Sequence, residues 1–253
     1  MLQELLELNL FAFFLIFARV GTAFSVMPGF ASAFVSMRVR LVIALVTSFV
    51  LMSMLGPSLP VLPKSSIILS VLIFGEIIIG GFIGMIARVL IGALQAAGTF
   101  IAYSSSLANA MVNDPISQQQ SSTISGFLMT AGLLLIFLAD FHHLMFKALI
   151  DSYSLFIPGV GFPAGDFSEF FSQQVNKSFA LGLQLAAPFI VVGLAFYIGL
   201  GLLGRLMPAL PVFFFGMPAQ ITLQFWIFTL TFSGIMMVFL KNFQDSYSPF
   251  IAP

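Results

Sequence analysis

The chain has 253 residues, 60% of them hydrophobic and 7% charged, against about 45–50% apolar and 25% charged in ordinary soluble domains. Nine basic and nine acidic side chains cancel, which removes the concentrated Lys/Arg face that nucleic acid requires. The absence of cysteine excludes disulfides, thiolate catalysis and Cys-based zinc or iron–sulfur centres.

The N-terminus carries Glu4 and Glu7 where a secretory signal needs positive charge, so the first apolar segment is expected to be retained. Six apolar stretches follow, at 8–30, 39–59, 67–103, 124–150, 178–203 and 209–240, each near or above the ~20 residues that cross a bilayer. An all-α membrane protein of six hydrophobic helices is therefore predicted. Pro28-Gly29, Gly56-Pro57, Asn113-Asp114-Pro115 and Pro158-Gly159 punctuate the stretches. The third stretch, 67–103, lacks proline and as one helix would be roughly 55 Å long. Either its glycines divide it into a hairpin, or it extends into protein beyond the lipid. Arg38, Arg40 and Arg205 fall on one side of the membrane and Lys64, Lys147, Lys177 and Lys241 on the other, which leaves orientation open.

Ionisable groups inside apolar segments are costly and need partners. Arg19, Glu76 and Arg88 are of this kind, and Arg205 closes the fifth stretch. Glu76 and Arg88 share a rough azimuth but are too far apart to touch in one helix. They form either an ion relay or pairs between helices or subunits. Asp140, His142 and His143 superficially resemble a metal site, but no further histidine or cysteine completes it. A wetted helix end is expected there, with no metal and no cofactor. Ser125-Gly126 lacks a recognisable base, so no catalytic residue is assigned. Gly80, Gly81 and Gly84, and later Gly201 and Gly204, have the small-residue spacing that lets helices approach closely.

Residues 104–122 are polar but carry one charge, Asp114. Such a segment is either a surface loop or the lining of an aqueous path.

Arg19, Met27-Pro28, Met37-Arg38-Val39-Arg40-Leu41, the glycine-rich run Glu76 to Gly84, Asn113-Asp114-Pro115 with Gln118-Gln119-Gln120, and the run Gly204 to Ile221 stand in this order. Together they resemble the FliR/SctT family, subunits of flagellar and virulence type III export machines. Ala209 and Pro211 depart from the family's usual glutamine and asparagine, so no role of those amides is carried over.

The resemblance implies a non-enzymatic subunit, one copy per complex, assembled with FliP, FliQ and FlhB homologues into a cone-like export gate in the bacterial inner membrane, at the flagellar basal body. It implies a FliP-like part over 1–173 and a FliQ-like helical hairpin over 174–253, joined near Asp166 to Phe171. Much helix surface would then face other subunits, above the bilayer on the periplasmic side. Residues 104–122 would form the pore plug for unfolded export substrates, with Leu107, Met111 and Val112 occluding and Asn113, Asp114, Pro115, Gln118, Gln119 and Gln120 in a polar hinge. Two other readings are a proton-coupled small-solute transporter, motivated by Glu76, Arg88 and Asp140, and a scaffold without a conducting path.

Overall fold

A computed structural model describes residues 2–56, 59–107, 111–113, 120–159, 164–207 and 211–251. These form seven α-helices and one short ribbon: α1 (Leu2–Val26), α2 (Met37–Leu55), α3 (Ser66–Ser104), β1 (Met111–Asn113), β2 (Gln120–Ser122), α4 (Thr123–Leu138), α5 (Phe141–Leu155), α6 (Ala164–Leu206) and α7 (Val212–Tyr247), with a 3-10 turn at Ser248–Phe250. Four of the helices are long and apolar enough to cross a membrane, and the bent pair α4–α5 passes the same test as a broken span. This is an all-α integral membrane protein.

Local chemistry accounts for the boundaries. Gly29 adopts φ 89° after α1, and the Ser36 side chain accepts from the Val39 amide to cap α2. The third stretch is one uninterrupted helix of 39 residues, not a hairpin. In an apolar setting every backbone group must be satisfied within the segment, and isolated glycines cost only about 1 kcal/mol each. Pro188 and Pro218 lie inside α6 and α7, as membrane helices tolerate.

One expectation needs correction. The stretch 124–150 is two helices bent by 73°, because Asp140 takes a left-handed conformation at φ 59°, which Asp tolerates better than most residues. Asp166 to Phe171 lies in the early turns of the 43-residue α6.

Packing divides the chain into two compact units. The first comprises Met1–Val89, Ile136–Gln174 and Phe243–Pro253, the second Leu90–Leu135 and Val175–Asn242. They cut across the sequential division at 173/174, because α3, α4, α6 and α7 each contribute residues to both units.

In the first unit, Gly80 and Gly84 of α3 seat the helix against α1: a Cβ on Gly80 would collide with the Arg19 carbonyl and Thr22, and one on Gly84 would lie 2.8 Å from the Ala23 carbonyl. Around this seam Leu15, Ile16, Val20 and Ile83 are fully buried. In the second unit, α3 meets α4 at Gly98 and α6 at Gly182, where a Cβ would lie 2.9 Å from the Ala93 carbonyl.

Candidate functional site

Two polar constellations stand out, one in each unit. In the first, Arg19 of α1 is wholly buried beside Glu76, which is 2% exposed. Arg19 Nε donates to Glu76 Oε2 at 2.5 Å and Nη2 donates to Oε1 at 3.0 Å, a two-pronged pair. The remaining donors reach Ser152 Oγ at 3.0 Å and the Phe156 carbonyl at 2.9 Å. The guanidinium lies 3.8 Å from the ring centroid of Tyr153, an additional cation–π contact. Arg19 thus joins α1, α3 and the end of α5 through one side chain. Both Glu76 oxygens are engaged, so this carboxylate is a structural anchor and not a free proton carrier.

Arg88 and Arg205 are exposed and make no ion pair among the described residues. Gly81, Gly201 and Gly204 have nothing within 4 Å of an added Cβ. Among the described residues, helix packing engages only Gly80 and Gly84 of the five glycines singled out.

The second constellation surrounds the polar segment. Its start and end are a strand pair, β1 antiparallel to β2, with Met111 opposite Ser122, Val112 opposite Ser121 and Asn113 opposite Gln120. Asn113 and Gln120 are therefore paired in a ribbon. Asp114, Pro115, Gln118 and Gln119 lie outside the described residues.

Both legs of the ribbon are tied down. At the first, α3 ends with Ser106 in the left-handed region at φ 60°, and the Leu107 amide donates to the Ala102 carbonyl at 2.9 Å. This is the helix stop that ordinarily uses glycine. Serine is held there by its hydroxyl, which lies 3.0 Å from Tyr197 Oη and donates to Gln220 Oε1 at 3.3 Å. Gln220, 1% exposed, donates in turn to the Ser104 carbonyl at 2.6 Å. At the second leg, Ser122 Oγ donates to the Gly98 carbonyl and Ser125 Oγ to the Gln95 carbonyl at 2.9 Å. Between the legs is an apolar cavity of about 350 Å³ lined by Ile101, Leu107, Ile124, Phe127 and Phe228, with Gln224 at its wall. Leu107 is half-buried there.

Sequence reasoning did not find Ser106, Tyr197 or Gln220. Gln220 lies in the motif quoted above, but its task depends on α7 passing the end of α3, which no local pattern encodes. Replacing Gln220 with alanine is expected to cost about 1–3 kcal/mol by leaving the Ser104 carbonyl unsatisfied. Faster hydrogen exchange at the Ser106 and Leu107 amides would reveal the freed leg; unchanged protection there would show that the latch carries no strain.

The apolar surface is the remaining feature. Phe214 (81% exposed), Met37 (80%) and Val61 (78%) head a long series of bare large side chains, as expected for helices covered by lipid or other subunits.

Comparison with known proteins agrees with this architecture. The profile of the family described as bacterial export proteins, family 1, matches residues 10–246. The chain is 34% identical over 231 residues to the flagellar biosynthetic protein FliR of Caulobacter vibrioides, covering 91% of this chain and 92% of that protein. It is 30% identical to FliR of Bacillus subtilis over 92% of this chain and 90% of the relative. Yop proteins translocation protein T of Yersinia pestis is 31% identical over 64% of this chain and 62% of that protein. The chain therefore belongs to the FliR/SctT family of bacterial export proteins.

Proposed function

We propose that this chain is a non-enzymatic core subunit of the flagellar type III export gate and supplies part of the wall and the plug of a pore for unfolded substrates. The observation that carries the plug assignment is the ribbon whose two legs are fastened, one to Gln220 and Tyr197 and the other to Gly98 and Gln95. In this reading Leu107, Met111 and Val112 occlude the path at rest, and Asn113 to Gln120 form the polar hinge.

The wall assignment follows from the exposed apolar helix faces, which FliP and FliQ homologues cover, with an FlhB homologue adjoining. Gly81, Gly201 and Gly204, open within this chain, become places of close approach between subunits. The FliP-like part over 1–173 and the FliQ-like hairpin over 174–253 match those neighbours in kind, and part of the assembly stands above the bilayer on the periplasmic side. The solute-transporter reading loses its motivation, since Glu76 is saturated by Arg19 and Arg88 and Asp140 are exposed.

Deleting residues 107–120 is expected to raise ion conductance at least tenfold in membranes carrying the whole complex, with assembly retained. A normally assembled complex with unchanged conductance would overturn the plug assignment.

A further inference from the structure

The bend between α4 and α5 brings together three side chains that the export function does not use. Asp140, His142 and His143 each present one ligand atom, and these atoms all lie within 4.8 Å of one another. The two imidazole rings are 4.2 Å apart between centroids. Asp140 occupies the cap position of α5, yet its side chain makes no cap hydrogen bond. Its carboxylate is thus not committed to the helix. His142 Nδ1 is enclosed and has no hydrogen-bond partner among the described residues, an orphan that a metal ion would satisfy. Asp140 and His143 are exposed in this chain, so neither ligand atom is closed off by the chain's own packing.

We propose that Asp140, His142 and His143 bind one divalent transition-metal ion of the zinc class, which clamps the first turn of α5 to its cap residue at the break after α4. Two imidazole nitrogens and one carboxylate oxygen suit zinc, cobalt or nickel and disfavour magnesium and calcium, which prefer all-oxygen shells. Around zinc at 2.0–2.1 Å, ligand atoms in a tetrahedron lie about 3.4 Å apart. Closing from the observed spacing takes side-chain rotations of about 1 Å and leaves the helices in place. Water completes the shell, as in sites with three protein ligands. All three ligands fall within four consecutive residues, the cap residue and the first turn of α5, so the ion would fix the start of α5 just after the break. The role assigned is structural.

The test uses the full-length chain, without a polyhistidine tag, in detergent with its gate partners and after treatment with chelator. Titration with zinc against a chromophoric competitor should show one tight equivalent per copy of this chain. Cobalt should give the visible absorption of a low-coordinate nitrogen–oxygen site. His143→Ala, at an exposed position, should weaken binding at least tenfold and abolish the cobalt spectrum, and Asp140→Asn should weaken it similarly. Zinc should also raise the melting temperature of the parent but not of His143→Ala. Absence of a tight equivalent, or equal affinity in parent and both variants, would overturn the site and mark any bound ion as adventitious. Tight, variant-sensitive binding with no change in melting temperature would overturn the clamp.

Discussion

Arg19→Ala is expected to destabilise the protein by about 3–5 kcal/mol, the usual cost of removing one partner of a buried ion pair. The substitution strands Glu76 at 2% exposure, with both oxygens deprived of donors. It also empties the space beside Tyr153 and unties the Phe156 carbonyl and Ser152. Because the pair joins α1 to α3 and α5, the loss should appear as reduced accumulation of the assembled complex and a lower melting temperature in detergent. Glu76→Gln should cost less, since a neutral amide still accepts from the guanidinium. The informative comparison is the pair Arg19→Met with Glu76→Leu. Replacing both charges with apolar groups of similar size is often neutral or stabilising, so the double variant should recover most of what Arg19→Ala loses. If it fails while folded, the pair does more than hold three helices together, and its charge is needed in the working gate.

The same residues show what a sequence can and cannot disclose. That Arg19 and Glu76 needed partners was legible, since charge in an apolar helix is expensive; that they are each other's partner was not, because 57 residues separate them. The lack of proline in α3 allowed one long helix, but its glycines left a hairpin equally open, and only the structure shows it continuous. The break at Asp140 could not be read, because no Gly or Pro marks it and an aspartate in the left-handed region leaves no compositional trace. α6 was foreseen from residue 178, where hydropathy rises, yet it begins at Ala164. Its first turns are polar, but the buried positions Phe167, Gln174, Ser178, Leu181 and Leu185 follow one helical stripe. Periodicity held the signal there, and hydropathy hid it. For the polar segment, lack of charge pointed to an unusual loop. Its ribbon and latch come from helices distant in sequence, and only tertiary structure brings Ser106, Tyr197 and Gln220 together.

Gly98→Val should be the most damaging single change near the ribbon. A Cβ added at Gly98 would collide with Ser125 Cα and lie 2.7 Å from its backbone nitrogen and 2.9 Å from its Cβ. These are main-chain and near-main-chain atoms of α4, so no rotamer change relieves the overlap and the two helices must separate. The expected cost is about 3 kcal/mol, at the upper end for overpacking. Separation also breaks the bonds from Ser122 Oγ to the Gly98 carbonyl and from Ser125 Oγ to the Gln95 carbonyl, which hold the second leg of the ribbon. Gly92→Ala is the matched control: it lies on the same helix with nothing within 4 Å of the added Cβ, and alanine's helix preference should make it neutral or stabilising by up to about 1 kcal/mol. Two readouts separate stability from gating. Melting of the purified complex should fall for Gly98→Val and not for Gly92→Ala, while complexes of Gly98→Val that do assemble should conduct ions at rest. Assembled Gly98→Val complexes that remain sealed would mean that the second leg does not hold the plug. The latch at Gln220 and Tyr197 would then be the tether assigned that task.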